Sequence, residues 1–154
     1  MRRKPLYNWI ADGVCLACII ATFVLILLRR SMLPEQIPTH FDLGGNVTGY
    51  GGKAVLWLLP GIAFFTFALI TVVEFFPKTW NTGVTVTQRN AARVYALARM
   101  LIVSVKVLTV LFMCAMSVLL CYSLSIPVWL PFIFVGLIMF CTIFFMIKIV
   151  AAGK

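Results

Sequence analysis

The stretch that decides the fold runs from Trp9 to Leu28 and reads WIADGVCLACIIATFVLILL. Its one charged residue is Asp12, three basic residues precede it at positions 2–4, and two arginines follow it at positions 29–30. An α-helix needs about 20 apolar residues to cross the hydrocarbon layer. The stretch exceeds the roughly 7–15 apolar residues of a signal peptide, and arginines rather than small residues follow it. We therefore predict an uncleaved transmembrane helix.

The rest of the chain has the same character. Of its 154 residues, 63% are hydrophobic and 11% charged, and the mean hydropathy is +1.09. Soluble domains are nearer half apolar and a quarter charged, so the composition excludes soluble, disordered and nucleic-acid-binding classes. Long runs without short alternation favour helices over barrel strands. We predict an all-α integral membrane protein, a four-transmembrane-helix bundle, whose single domain covers 1–154 and whose spans are about 9–28, 54–76, 95–122 and 128–150.

Basic residues are concentrated on one side of these predicted spans. One side holds Arg2, Arg3, Lys4, Lys78, Arg89, Arg93, Lys148 and Lys154, whereas the other holds Arg29, Arg30 and Lys53. Cytoplasmic loops are enriched in Lys and Arg, so both termini should be cytoplasmic and the loop 29–53 should face outward. The net charge of +9 thus indicates orientation in a lipid bilayer rather than a nucleic-acid partner.

Asp12, Glu74 and Lys106 lie inside the predicted spans and need an explanation, because an unpaired charge in a membrane is costly. We predict that Glu74 pairs with Lys106 or Arg99, since all three should lie in the inner half of the bilayer. The alternative is that Lys106 extends to the headgroups and Glu74 to inner water. A proton or ion pathway is a third interpretation, which the small number of intramembrane acids disfavours.

The five cysteines all lie in apolar runs, and Cys15 and Cys18 have the spacing C-x-x-C. That spacing suggests redox or metal chemistry in other settings. Here neither a second pair nor a histidine is nearby in the sequence, so we interpret both as small packing residues.

The segment 32–53, MLPEQIPTHFDLGGNVTGYGGK, is the polar part of the chain and contains its only histidine. It is longer than a connection between two helices requires, and long ordered loops are often functional. Its candidate ligand contacts include His40, Phe41, Asp42 and Lys53. The alternative is a small cap, in which Phe41 and Leu43 pack onto the helix ends.

Catalytic interpretations of this loop are weak. The sequence lacks the spacing of a phosphate-binding P-loop before Lys53. His40, Asp42 and Glu35 form at most a partial metal set, so we expect no metal and no cofactor. A membrane enzyme using His40 and Asp42 is possible in principle, yet no nucleophile accompanies them, so we predict no catalytic residues.

The order Leu33-Pro34, Ile37-Pro38, His40-Phe41, Gly49 and Gly51-x-Lys53 resembles the LP-x-x-IP-x-HF signature of a bacterial membrane domain of unknown function. That domain also forms the N-terminal part of SdpI-type immunity proteins, where the signature lies between the first two transmembrane helices. The resemblance implies a multi-pass protein of the bacterial plasma membrane and adds Pro34, Pro38 and Gly49 to the ligand contacts. In the SdpI case, the role it implies is protection against a secreted toxic protein, coupled to sequestering a transcriptional repressor.

The leading functional prediction is therefore a small inner-membrane binding or sensing protein. Its outer loop should meet an extracytoplasmic peptide or protein, such as a toxin, and its basic inner surface a cytoplasmic protein. The alternative is a structural or accessory subunit of a membrane complex, such as a transporter.

Overall fold

The computed structural model describes residues 4–42, 44–122, 127 and 129–154. Arg2, Arg3, Leu43 and Val128 lie outside the described residues, as does the segment 123–126. The predictions that involve these positions are the orientation, which counts Arg2 and Arg3, the packing of Leu43 in the loop, and the start of the fourth span at residue 128.

The described residues contain four α-helices, which we number α1 to α4. They are α1 Leu6–Arg29, α2 Leu58–Glu74, α3 Ala91–Cys121 and α4 Trp129–Gly153. A 3-10 turn at Lys53–Trp57 leads into α2 and lengthens its apolar stretch to 22 residues. Each of the four stretches is long and apolar enough to cross a membrane. The predicted all-α, four-helix membrane fold is therefore confirmed.

The third helix begins before its apolar run does. Asn90 Oδ1 accepts a hydrogen bond of 2.8 Å from the backbone N–H of Thr87, and the backbone N–H of Asn90 faces Thr87 Oγ1 at 3.4 Å. These reciprocal bonds satisfy backbone groups at the helix start, as N-terminal caps do. At 31 residues, α3 is about 46 Å long, against a hydrocarbon layer of about 30 Å. It therefore extends into the interface.

The helices pack as a bundle centred on α3, which contacts α1, α2 and α4. The core between α1, α2 and α3 contains Cys15, Ile19, Ala63, Val110 and Cys114. The small residues among them, Cys15, Ala63 and Cys114, allow the helices to approach closely, which favours packing where lipid removes the hydrophobic effect. All five cysteines are free thiols.

The bundle has two chemically different ends. At one end Arg29 Nε donates a hydrogen bond of 3.1 Å to the backbone carbonyl of Cys121, which joins the ends of α1 and α3. We call this the hairpin end, because the segment between α1 and α2 folds there. At the other, the terminal end, the start of α1 meets the end of α2, and Val94 of α3 packs against Ile149 of α4.

The segment between α1 and α2 is a β-hairpin, an element that the sequence did not predict. Strand β1, Gln36–Phe41, pairs antiparallel with β2, Val47–Gly52. A turn around Gly45, whose φ is +82°, joins the strands. Glycine adopts that left-handed conformation without strain. The loop is therefore a folded structure with a defined register.

Candidate functional site

The hairpin is fixed to the bundle by apolar side chains at its base. Ile37 is completely buried and Leu33 is 7% exposed, and both pack against Ile26, Leu56 and Leu120. Phe41, the anchor proposed for the cap interpretation, is only half-buried. The anchors are thus the apolar residues before each motif proline, Leu33 before Pro34 and Ile37 before Pro38.

The register of the hairpin is irregular around His40. Pro38 pairs with Tyr50 and His40 with Gly49, so Thr39 is an extra residue in β1. Such a β-bulge changes the direction of the side chains beside it. Thr39 Oγ1 lies 3.0 Å from His40 Nδ1 and donates to the carbonyl of Gly49 at 3.3 Å. Thr39 and His40 therefore lie on one face, and the imidazole remains exposed.

Two glycines of the motif allow this close packing. A Cβ atom at Gly49 would lie 3.0 Å from His40 Nδ1. One at Gly51 would lie 2.8 Å from Cγ2 of Val55 and 3.0 Å from Cγ2 of Thr39. Gly49 thus leaves room for the imidazole, and Gly51 lets β2 approach the turn that leads into α2.

Asp42 organises the turn of the hairpin. Its Oδ1 accepts hydrogen bonds of 2.8 Å from the backbone N–H groups of Gly44 and Asn46, and its Oδ2 accepts one of 3.0 Å from Asn46 Nδ2. The amide of the Asn46 side chain is the main reason why the pKa of Asp42 is lowered, and the backbone donors add to it. These bonds favour the ionised carboxylate. Within the described residues, no hydrogen bond joins His40 to Asp42, so the pair postulated for acid–base chemistry is not formed.

The remaining predicted contacts lie along the hairpin and at its base. Lys53 Nζ is 2.9 Å from a carboxylate oxygen of Glu35, across the point where the two strands leave the bundle. Pro34 is exposed just before β1, and Pro38 is half-buried opposite Tyr50. The hairpin therefore brings together His40 with Gly49 and Lys53 with Glu35, while Pro34 stands apart.

A second polar site, which we call the charge cluster, lies inside the bundle near the terminal end. Lys106 of α3 is completely buried, and its Nζ contacts carboxylate oxygens of both Asp12 and Glu74. Thr71 Oγ1 lies 3.3 Å from the same Nζ, and the ring of Phe67 is centred 5.5 Å away. The ammonium group thus meets acids from two neighbouring helices instead of reaching the surface of the bundle.

The other cation of the charge cluster is Lys4. Its Nζ contacts Asp12 Oδ2 and lies 3.1 Å from Glu74 Oε2. Asn8 Nδ2 donates a 2.8 Å hydrogen bond to the same oxygen of Glu74, whereas the buried Asn8 Oδ1 has no partner among the described groups. Two ammonium and two carboxylate groups make the cluster neutral, which is how charges are accommodated inside a membrane.

Sequence reasoning singled out Glu74 and Lys106 for this cluster but omitted Lys4 and Asn8. The missed signal is the spacing of Lys4, Asn8 and Asp12, each four residues from the next, which predicts one polar stripe on a helix. Arg99 takes no part in the cluster, because its guanidinium lies over the ring of Trp80, 5.7 Å from the centroid. In the part of the chain that the structure describes, no group of three or more metal-ligating side chains is assembled.

Comparison with known proteins points to the hairpin region. Residues 17–64 match a family described as Domain of unknown function (DUF1648), and this stretch covers the second half of α1, the hairpin and the start of α2. An uncharacterized protein of Archaeoglobus fulgidus is 38% identical over 47 residues, which are 30% of this chain and 26% of that relative. The chain thus spans about a quarter of that relative's length. No solved structure matches. The family match therefore concerns the hairpin and the two helices that hold it.

Proposed function

We propose that this chain is a small protein of a bacterial plasma membrane that binds an extracytoplasmic peptide or protein through its hairpin. The observation that supports this proposal is the construction of the hairpin. It is fixed to the bundle by Leu33 and Ile37 while His40 and Tyr50 remain exposed. A rigid base with exposed imidazole and phenol groups suits recognition, and aromatic side chains are frequent in binding surfaces.

The free edge of β2 is the part of the hairpin best suited to a ligand. Among the described residues the sheet has two strands, so β2 pairs with β1 alone. An edge strand presents unpaired N–H and C=O groups, and extended peptides bind such edges as an added strand. Pro38 removes a donor from β1, whereas Val47–Gly52 contains no proline. We therefore propose an extended ligand along β2, beside the exposed side chains of Val47 and Tyr50.

The distribution of charge supports an outward-facing hairpin. The exposed cations Lys78, Arg89, Arg93, Lys148 and Lys154 belong to the terminal end. The hairpin end holds Arg29, Arg30 and Lys53, of which Lys53 is paired with Glu35. By the positive-inside rule, the terminal end and both termini are cytoplasmic. The basic terminal surface then contacts a cytoplasmic protein, which would be a repressor if the chain works as SdpI-type immunity proteins do.

A survival assay tests this proposal. A strain lacking the gene is challenged with the secreted proteins of its own species and complemented with variants. We expect His40→Ala and Tyr50→Ala to reduce survival at least tenfold with unchanged amounts in the membrane. Thr79→Ala, an exposed position at the terminal end, is the matched control. Hairpin variants that protect as well as the unaltered chain would show that the hairpin is not the binding surface.

The orientation is tested separately. A cysteine introduced at the exposed Thr48 should react with a membrane-impermeant thiol reagent on intact cells. One introduced at Thr79 should react only after lysis. The reverse pattern would place the hairpin in the cytoplasm, and the proposal of an extracytoplasmic ligand would then be wrong.

A role as a structural or accessory subunit is the second candidate, and α4 favours it. Among the described helices this helix has its main contacts with α3, its C-terminal part also packs against Val84, and its most apolar stretch has no buried residue. Large side chains such as Phe132, Phe140 and Ile147 are therefore free to meet lipid or a neighbouring helix. A stoichiometric membrane partner that copurifies in mild detergent and is lost on Phe140→Ala would support this role. A chain that purifies as a monomer would argue against it.

A further inference from the structure

A partly open groove lies at the terminal end, between the start of α1 and the first turns of α3, apart from the hairpin and the charge cluster. Its volume of about 440 Å³ is within the range of small-molecule sites in proteins. Its residues are Tyr7 from α1 and Ala92, Tyr95, Ala96, Arg99 and Met100 from α3, among others. Small alanines form its floor, and Arg99 is the cation in its lining.

Arg99 is held in place but lacks an anion. Its guanidinium lies over the ring of Trp80, which packs edge-on against Tyr95 with ring centroids 6.3 Å apart. Trp80 is itself fixed by a 2.9 Å hydrogen bond from its Nε1 to the carbonyl of Val73. Among the described residues, no carboxylate pairs with Arg99 and no acceptor receives its N–H groups. A half-buried guanidinium with five donors and no acceptor indicates an anionic ligand.

The protein has no acid left to supply that anion. Its four acidic residues are Asp12, Glu35, Asp42 and Glu74. Asp12 and Glu74 contact Lys4 and Lys106 in the charge cluster, and the other two belong to the hairpin. Within the described ranges, no acidic side chain therefore pairs with Arg99 or with the exposed cations of the terminal end.

The position of the groove identifies the kind of anion. From Ala91 to Met100 the groove follows α3 for roughly 14 Å at 1.5 Å per residue. The headgroup region on each side of a bilayer is only about 5–8 Å thick. The predicted third span begins at about residue 95, within this groove, so we expect the boundary between headgroups and hydrocarbon to fall between Gln88 at the polar end of the groove and Met100 at its apolar end. We propose that it binds one anionic phospholipid, whose phosphate contacts Arg99. The polar headgroup of this lipid lies over Ala92 and Ala96, and its acyl chains extend past Met100 into the hydrocarbon layer.

Binding of defined lipids to the purified full chain tests this site. Native mass spectrometry in a mild detergent is used to titrate dioleoyl phosphatidylglycerol, with dioleoyl phosphatidylcholine as the zwitterionic reference. We expect one phosphatidylglycerol to bind at least tenfold more tightly than phosphatidylcholine. Arg99→Gln should weaken that binding at least fivefold. Arg93→Gln removes the same charge from the same helix outside the groove, and it should change binding less than twofold.

Shape provides a second test that leaves charge unchanged. Ala96→Phe fills the groove and should reduce phosphatidylglycerol binding at least fivefold, and Ala92→Leu serves the same purpose if that variant does not fold. Equal losses in the Arg93 and Arg99 variants would show general attraction to a basic surface and overturn the proposal. Equal affinity for both lipids would also overturn it, as would displacement of the lipid by an equal concentration of inorganic phosphate.

Discussion

The charge cluster and the hairpin contain all four acidic residues of the chain, yet they use them in opposite ways. In the charge cluster Lys106 is completely buried and Glu74 is 4% exposed. In the hairpin the side chain of Glu35 is 89% exposed. Removing a charge from the cluster leaves its partner unpaired inside the membrane, whereas water solvates any charge left in the hairpin. The location of a polar residue thus decides whether its loss affects folding or binding.

The largest effect is expected in the charge cluster. Lys106→Met leaves two carboxylates with Lys4 alone, and Glu74→Gln leaves two ammonium groups with one carboxylate. Each single change should lower the free energy of unfolding by about 3–5 kcal/mol, the cost of breaking a buried pair. The double variant is neutral again and should recover at least half of that loss. Equilibrium unfolding in mixed micelles measures all three.

The control for this series is Lys148→Met. Lys148 lies over the ring of Phe144, 5.6 Å from its centroid, and among the described residues no carboxylate contacts it. Its loss should change stability by less than about 1 kcal/mol. The double variant could instead lose as much free energy of unfolding as the two single variants lose together. That result would show that the cluster does not act as a neutral unit.

The next largest effect is expected where the hairpin meets the bundle. Ile37→Ala removes a completely buried side chain, and such truncations cost about 2–5 kcal/mol. The loss should be local, so amide hydrogen exchange in β1 and β2 should accelerate while exchange in α3 stays unchanged. Val47→Ala, in the same hairpin but 37% exposed, is the matched control. Uniform acceleration across the helices would contradict a separable hairpin.

A smaller effect follows from the lowered pKa of Asp42. Because its folded pKa lies below the ordinary value of 3.8, its contribution to turn stability is fully present above that value. The contribution is lost as the pH falls through the folded pKa. Amide chemical shifts of Gly44 and Asn46 should therefore stay constant from pH 7 to about 4 and change only at lower pH. Asp42→Asn should abolish that change, and a transition near neutral pH would contradict this assignment.

The smallest effect is expected at the base of the hairpin. Glu35→Gln breaks the 2.9 Å ion pair with Lys53, but exposed pairs contribute only about 0–1 kcal/mol. Hairpin exchange rates should hardly change. If Lys53 contacts a ligand, Lys53→Ala should weaken binding while Glu35→Gln leaves it intact. A loss of binding in both variants would instead mean that the pair positions the hairpin.

The helical fold could be predicted from the sequence because hydrophobic length is a property of continuous segments. The first residues of the helices were harder to predict. The start of α3, for example, follows hydrogen bonds between Thr87 and Asn90, which lie in a polar stretch before the apolar run. The hairpin was missed because its strands are short, β2 contains three glycines, and prolines and glycines are typical of irregular loops as well. Its bulge at Thr39 depends on pairing between strands, which no local pattern reveals.

The two sites differ in how far the sequence could define them. An intramembrane Glu and Lys almost require partners, so their pairing could be anticipated from cost alone. Arg99 and Lys106 are about two helical turns apart and lie on nearly the same face of α3. The choice of Lys106 therefore depends on depth along the helix, because Arg99 lies nearer the terminal end, beside Trp80. Leu33 and Ile37 fix the hairpin to the bundle, but the sequence analysis gave weight to the neighbouring prolines and did not predict these two residues as anchors. Its ligand contacts stay a prediction.

The charge cluster has a consequence for how the chain is inserted into the bilayer during synthesis. Lys4 and Asp12 contact each other only eight residues apart, so the first helix enters lipid with its own counter-charge. Glu74 is 32 residues ahead of Lys106, so until the third helix has been made the two carboxylates of Asp12 and Glu74 share the single ammonium group of Lys4. We expect the translocation machinery to release α2 and α3 together as a helical pair, and a nascent chain halted before Lys106 to be retained at the channel.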